Sequence, residues 1–264
     1  MKKILVKLAS AAVVLAAFLP VSEASAWTRR GHQIVADIAE ANLTPRAKQE
    51  VSRLLAMEGK KRLNEVASWA DSIRGVTFPK QPSHAVRIPV DANSYSPERD
   101  CGDGNCVLAA ISHNIEDLSN RDAPDESRLV ALKYLTHFIG DLHQPLHASK
   151  DTGQRKVIYQ GEEKTLHAVW DKDLIACPRT KFQETAKRLM KDEDSPRAGG
   201  DPASWAMESH DIARDKIFPD LAGLSGDPAV LPDSYCDANW PIASSRLKFA
   251  GVRLASLINQ ALDR

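Results

Sequence analysis

Apolar residues recur along this chain mostly at steps of three and four, the spacing that places side chains on one face of an α-helix. The strongest such pattern stops at Pro145, where a proline ends a helix. Its apolar positions are Leu129, Leu132, Leu135, Phe138, Ile139 and Leu142. Thr44 and Pro45 predict the capped start of another helix, which continues through residues 51–55.

Three further helical patterns follow toward the C-terminus. Their apolar positions are Phe182, Ala186 and Leu189; Trp205, Ile212, Ala213 and Ile217; and Leu247, Val252, Leu254, Leu257, Ile258 and Leu262. Residues 156–160, just before Gly161, predict a short strand that is one arm of a β-hairpin. Residues 79–105 and 223–241 are rich in Pro, Gly and Asp and predict loops. We therefore expect an all-α fold: a mostly α-helical single domain with a short β-hairpin.

Residues 1–26 are typical of a secretory signal peptide. Lysines precede an apolar run over residues 4–19, and the small residues 24–26 form a cleavage site. The alternative, a transmembrane anchor, would need roughly 20 apolar residues, more than this run contains. We expect an exported protein, periplasmic or extracellular, without stable membrane association. Its mature domain would be residues 27–264.

The charge balance argues against a broad basic surface for nucleic acid. The chain of 264 residues has 35 basic and 35 acidic side chains. Binding of a polyanion must therefore depend on local cations, and bound metal ions are candidates for these. The length permits one large core. The sequence leaves the oligomeric state open, and we expect a monomer.

The four cysteines of the mature chain allow three disulfide pairings. Cys101 and Cys106 flank a turn-rich loop that can close a small ring, which leaves Cys177 to pair with Cys236. Export permits such disulfides. The competing interpretation is a zinc site of four cysteines, but the spacings do not match the paired short intervals of such sites.

Two segments, residues 137–141 and 167–171, place a histidine and an aspartate four residues apart. On a helix these side chains lie one turn apart on the same face and can share one ion. Each pair alone is a weak signal, because such a pair is more often a surface pair or a core histidine. Burying an unpaired carboxylate in the most hydrophobic helix would cost several kcal/mol, so a metal ion or charged partner is needed there. His147 adds a ligand just past the proline.

Three more candidates lie outside these segments. His32 follows shortly after Trp27, the expected new N-terminus. A free α-amine has a pKa of roughly 8, so the amine and the carbonyl oxygen of Trp27 could chelate one cation. Asp71 and His84 complete the set, although either residue alone would be considered an ordinary polar residue.

In this order the motifs resemble the zinc-dependent single-strand-specific nucleases, which include the fungal nucleases S-one and P-one, mung bean nuclease and plant bifunctional nucleases. The matching segments are residues 27–32, 68–71, 98–106, 137–141, 144–147, 166–171 and 250–255. The ordered set is far more specific than any single motif. The resemblance implies the helical fold shared by phospholipase C and nuclease P-one-like proteins.

The resemblance also implies three zinc ions per chain, with nitrogen and oxygen ligands and open positions that suit catalytic zinc. The first ion would be bound by Asp71, His84, His137 and Asp141; the second by His147, His167 and Asp171; and the third by His32 and the main chain of Trp27, with Asp141 bridging the first and third. Asp71 would orient the attacking water. Arg74 matches an arginine thought to stabilise the transition state.

The activity implied is that of an endonuclease on single-stranded DNA and RNA, with 5′-phosphate products and removal of phosphate from 3′-nucleotides. Two alternatives stay open. A zinc phospholipase C, acting on phosphatidylcholine-type lipids, would share the fold, but such enzymes typically have Glu where this chain has Asp141 and Asp171. A non-catalytic exported zinc-binding protein would have no need of open coordination positions.

Overall fold

The computed structural model describes residues 27–74, 81–151, 153–191 and 198–263. The expected signal peptide, residues 1–26, lies outside the described residues. Helices dominate the described part of the chain, as predicted. The α-helices are α1 (Arg29–Ala41), α2 (Pro45–Ala56), α3 (Trp69–Ser72), α4 (Pro97–Asp100), α5 (Val107–Ser119), α6 (Asp125–Leu142), α7 (Leu166–Ala168), α8 (Leu174–Ala176), α9 (Phe182–Lys191), α10 (Pro202–Ile212), α11 (Phe218–Ala222) and α12 (Tyr235–Leu262).

Short 3-10 and π-helical turns lie between these helices. The 3-10 turns are Leu63–Glu65 and Pro145–His147. The π-helical turns Val169–Asp173 and Ala213–Ile217 join α7 to α8 and α10 to α11, so that each pair forms one continuous helical segment. Because of the first π-turn, the second predicted His–Asp motif does not lie on a regular α-helix.

The predicted hairpin is present and has a third strand. Strand β1 (Lys156–Tyr159) pairs antiparallel with β2 (Glu162–Thr165). Strand β3 (Ala229–Val230), which the sequence did not predict, pairs parallel with β1. The order in the sheet is β2-β1-β3.

Helix α6 lies at the centre of the fold, where it packs against α1, α2, α5 and α12. All of its side chains from Leu135 to Leu142 are buried. A helix that is surrounded by protein on every side contributes polar groups to the interior as well as apolar ones. His137 and Asp141 are therefore held in the core by the apolar residues around them.

Helices α1 and α12 pack closely together. A Cβ atom on Gly251 of α12 would lie 2.5 Å from Cβ of Ile38 on α1, so this approach requires glycine. The contact positions α1 beside α6. No pattern prediction covered α1 or α5, although α5 has buried residues at helical spacing: Val107, Leu108, Ala110, Ile111, Asn114 and Leu118.

The loop prediction for residues 223–241 is wrong at its end, because α12 begins at Tyr235 and contains Pro241. A proline inside a helix removes one hydrogen bond of the helix. Tertiary contacts hold this turn in place: the Tyr235 hydroxyl accepts a hydrogen bond from Trp170 Nε1 at 3.1 Å. Cys236, in the same turn, is bonded to Cys177.

Both expected disulfides are present. Cys101 and Cys106 are bonded, with their Cα atoms 5.5 Å apart, and close the loop before α5. Cys177 and Cys236 join the end of α8 to the start of α12. The alternative of a four-cysteine zinc site is therefore wrong. Among the described residues, no helix has both the length and the apolar character to cross a membrane.

Candidate metal centre

Four of the predicted ligands converge at the C-terminal half of α6. His137 Nδ1 lies 2.8 Å from the Ala67 carbonyl oxygen, to which it donates, so in the neutral ring Nε2 holds the lone pair. This Nε2 lies 3.1 Å from His84 Nδ1, 3.3 Å from Asp141 Oδ2 and 3.5 Å from Asp71 Oδ1. His84 Nδ1 lies 2.9 Å from the same oxygen of Asp141. We call these four residues the first group.

His32 on α1 approaches the other oxygen of Asp141. Its Nε2 lies 3.3 Å from Asp141 Oδ1, and its ring stacks on His137 with centroids 3.9 Å apart. Gly140 permits this approach, because a Cβ atom there would lie 2.8 Å from His32 Nδ1. The two oxygens of Asp141 therefore face different histidines, which is the arrangement that a bridging carboxylate needs.

Trp27 is fully buried and lies next to the second predicted metal motif. The main-chain N–H of Thr28 donates to the carbonyl oxygen of Asp171 at 3.0 Å. A Cβ atom on Gly31 would lie 2.6 Å from Cβ of Trp27, so the first turn of α1 folds tightly over this residue. Chelation by the main chain of Trp27 stays a prediction.

His147, His167 and Asp171 form a second group. His147 Nε2 lies 3.0 Å from His167 Nε2, which lies 3.1 Å from Asp171 Oδ2. His147 Nδ1 donates to the main-chain oxygen of His84 at 2.9 Å, so in the neutral ring Nε2 holds the lone pair. Two imidazole nitrogens and a carboxylate oxygen thus face one another.

Gln144 supports the second group, a role that no sequence pattern indicated. Its Nε2 donates to Asp171 Oδ1 at 2.6 Å, and its Oε1 accepts from the main-chain N–H of Leu146 at 2.5 Å. The residue belongs to a quoted motif, but its partner lies in a distant segment. A pattern search within one segment could not find the contact.

The donor atoms fit a metal ion. Tetrahedral zinc with bonds to nitrogen of about 2.0–2.1 Å places neighbouring ligand atoms about 3.3 Å apart, close to the separations found here. Both oxygens of Asp141 and both ring nitrogens of His32 are buried without a well-formed hydrogen bond to any described residue. Such groups are costly unless an ion or another partner satisfies them.

By distance, the described residues form three sets that could hold an ion. They are His32, Asp71 and His137; His84, His137 and Asp141; and His147, His167 and Asp171. The last set has the composition expected for the second ion. The other two share His137, and one of them joins His32 to Asp71.

Burial keeps the rings of His32 and His147 neutral. Burial lowers the pKa of His32 to about 3 and, helped by His167, lowers that of His147 to about 3. Burial has the same effect on His137, but the carboxylate of Asp141 and that of Asp71 outweigh it and raise its pKa to about 10. An ion that binds the first group must therefore displace a proton from His137.

Arg74 and Asp71, the two predicted catalytic residues, lie together at the edge of the first group. Arg74 Nη2 is 3.7 Å from Asp71 Oδ1. Both side chains are partly exposed, in contrast to the buried histidines. A guanidinium in this position can reach a ligand that enters from solvent. The roles of both residues in catalysis stay predictions.

The fold and this site define a helical protein with a buried centre of histidines and aspartates that could bind several metal ions. The family model described as S1/P1 Nuclease matches residues 27–263, and the chain belongs to that family. It is therefore a nuclease, a hydrolase of phosphodiester bonds, as the sequence motifs predicted. The alternatives of a phospholipase and of a non-catalytic protein are set aside by this result.

The chain is similar over most of its length to fungal and plant nucleases. It is 32% identical to nuclease P1 of Penicillium citrinum, across 89% of this chain and 97% of that protein. Identity to endonuclease 2 of Arabidopsis thaliana is 29%, across 89% of this chain and 90% of the relative. Nuclease S1 of Aspergillus oryzae is 26% identical, with coverages of 88% and 91%.

Proposed function

We propose that this protein is an exported zinc-dependent endonuclease that hydrolyses single-stranded DNA and RNA to 5′-phosphate products and also removes phosphate from 3′-nucleotides. Residues 1–26 direct export and are removed, and residues 27–264 form the catalytic domain. The observation that carries the proposal is the convergence of the predicted histidines and aspartates into adjacent, buried sets of metal-ligand type.

Three zinc ions would occupy this centre. The first would be held by Asp71, His84, His137 and Asp141; the second by His147, His167 and Asp171; and the third by His32, Asp141 and the main chain of Trp27. The buried and unsatisfied atoms of Asp141 and His32 support this assignment. Their donors are nitrogen and oxygen, as in catalytic zinc sites.

Bound zinc polarises phosphate oxygens and lowers the pKa of coordinated water to about 7. The other roles in catalysis belong to protein side chains. The Arg74 guanidinium pairs with phosphoryl oxygens and stabilises the charge that develops on them. The Asp71 carboxylate accepts a hydrogen bond from the attacking water and orients it. Gln144 keeps the carboxylate of Asp171 in its orientation.

The test combines zinc content with the chemistry of the product ends. Mature protein that starts at Trp27 is analysed for zinc and incubated with a short single strand, the matching duplex and 3′-AMP. We expect 5′-phosphate and 3′-hydroxyl ends from the single strand by mass spectrometry, slower cleavage of the duplex and phosphate release from 3′-AMP. Products with 3′-phosphate ends, or full activity after zinc removal, would contradict the proposal.

A further inference from the structure

A cavity outside the metal centre lies between α2, the loop from α5 to α6 and the end of α12. Its volume is about 460 Å³, within the range of roughly 300–1,000 Å³ for small-molecule sites. The residues that line it are Arg46, Gln49, Glu50, Arg53, Arg121, Arg128 and Leu262. None of them belongs to the candidate metal centre. We call it the arginine cavity.

Helix α6 separates the arginine cavity from the metal centre. Arg128 lies in the first turn of α6, whereas His137 and Asp141 lie near its C-terminal end. With a rise of 1.5 Å per residue, Arg128 is about 14–20 Å from these ligands along the helix axis. The cavity is therefore a distinct site at the opposite end of the helix.

The cavity concentrates positive charge. Four of its lining residues are arginines, and they come from α2, α6 and the loop before α6. Glu50 is the acidic residue among the described lining residues, and it pairs with Arg53 and Arg128, so the lining itself has more arginines than carboxylates. The whole chain is formally neutral. A local excess of this kind attracts anions.

Two of the guanidinium groups are already held in position. Arg53 donates to both oxygens of Glu50 at 2.8 Å and to those of Asp125 at 2.6 and 2.7 Å. Arg128 is buried and donates to Glu50 at 2.8 Å and to the Leu118 carbonyl oxygen at 3.3 Å. Groups that are ordered before binding lose little entropy when a ligand arrives.

The other two arginines, Arg46 and Arg121, are exposed to solvent. Arg121 forms no ion pair with a carboxylate in the described part of the chain. Gln49, also exposed, adds an amide to the lining. The cavity thus combines a rigid inner wall with two accessible cationic side chains.

We propose that the arginine cavity binds a phosphate-bearing ligand with at least two negative charges, either a free 5′-nucleotide or the backbone of a bound strand. The planar guanidinium group pairs with two phosphate oxygens at once, which a lysine cannot do. We choose phosphate over other anions because the substrates and products of the proposed function all carry it, and this choice rests on that function.

The experiment compares three zinc-loaded proteins by isothermal titration calorimetry. They are the wild type, the double variant R46Q/R121Q and the control R188Q. Arg46 and Arg121 are exposed, so their replacement leaves the core intact, and Arg188 is an exposed arginine of α9 that pairs with Glu184. The probes are thymidine 5′-monophosphate and a short phosphorothioate oligothymidylate that resists cleavage.

In the wild type and R188Q we expect a binding event in addition to that at the metal centre. In the double variant this event weakens by roughly tenfold or more, because charged hydrogen bonds are lost. If the double variant binds the mononucleotide more weakly than the wild type does, the ligand is a free nucleotide. If only binding of the oligonucleotide weakens, the ligand is the backbone of a strand. Indistinguishable titrations of all three proteins would overturn the proposal.

Cleavage of a single strand by the same three proteins is measured in parallel. If the wild type fails to cleave, the proposed function fails, and the titrations still decide whether the arginine cavity binds phosphate. If the wild type cleaves and the titrations are indistinguishable, only the proposal for the cavity fails.

Discussion

Gln144 determines which oxygen of Asp171 is available to the second group. Its amide occupies Oδ1 at 2.6 Å, so Oδ2 is left to face His167. Hydrogen bonds of this kind set the orientation of a metal ligand and raise its affinity. The residue that orients the Asp171 carboxylate is thus not itself a predicted ligand.

Replacing Gln144 with Met keeps the length of the side chain and removes the donor. We expect zinc affinity at the second group to fall by about 10- to 100-fold, measured by competition with a chelator. Gln183→Met, at an exposed position of α9, is the matched control. Equal affinities for both variants would rule out a supporting role for Gln144.

His147→Ala removes one of the three donors of the second group. We expect the zinc content to fall by about one ion per chain, because two remaining protein ligands hold zinc weakly. Elemental analysis of the purified variant measures this. His113→Ala is the control, since His113 is 73% exposed and pairs only with Asp117 on its own helix in the described structure. Unchanged zinc in His147→Ala would refute the ligand assignment.

The residues of the metal centre differ in how well the sequence reveals them. His137, Asp141, His167 and Asp171 form regular motifs within single segments, and the structure brings their side chains together. The carbonyl oxygen of Ala67, which orients His137, has no sequence signature, because any residue type supplies the same atom. Such contacts depend on the tertiary fold.

At the level of elements, the C-terminal turn of α6 is anchored by α10 and α12. Glu208 on α10 accepts hydrogen bonds from Arg246 at 2.8 Å and from Arg253 at 2.7 Å, both on α12. Arg253 also donates to His143 Nε2 at 2.9 Å, and His143 Nδ1 donates to the Ile139 carbonyl oxygen at 2.8 Å. These bonds connect α12 with the turn that carries the metal ligands.

Glu208→Gln removes the negative charge that two buried arginines share. We expect the free energy of unfolding to fall by about 1–3 kcal/mol, because charged hydrogen bonds to buried groups are weakened. Urea unfolding measures the change. Glu184→Gln, which breaks an exposed pair on α9, should cost less than about 1 kcal/mol. Similar effects of the two changes would contradict the anchoring role.

The same variant should alter the dependence of stability on pH. Burial would raise the pKa of Glu208, but Arg253 and Arg246 outweigh it and hold the pKa below its usual range. Its contribution is therefore complete above the unfolded pKa of about 4.3 and is lost as the pH falls through the lower folded value. We expect the advantage of the wild type over Glu208→Gln to shrink below about pH 4.

The elements themselves were predictable where the local pattern agrees with the tertiary fold. Helix α2 begins at the predicted Thr44 cap, whose hydroxyl accepts from Ala47 N–H at 3.1 Å. The hairpin β1–β2 turns at the predicted Gly161. The start of α12 was not predictable, because Pro241 signals a loop locally and only distant contacts with Trp170 and Cys177 override that signal.

For the whole molecule, the position of the N-terminus matters. A tag fused directly before Trp27 converts the expected free amine into an amide, which is a poor metal ligand. We expect lower zinc content and much lower turnover in the fusion, measured by elemental analysis and a cleavage assay. The same tag at the C-terminus is the control. Normal values for a verified, uncleaved N-terminal fusion would exclude Trp27 as a ligand.

His84, a member of the first group of the metal centre, also contacts the second group through its main chain. Its Nδ1 lies 2.9 Å from Asp141 in the first group, while its main-chain oxygen accepts a hydrogen bond from His147 of the second group at 2.9 Å. Ordering one group therefore orders a donor of the other. We expect zinc to load cooperatively, so that at intermediate zinc concentrations the molecules divide into empty and filled forms, with few partly filled ones between them.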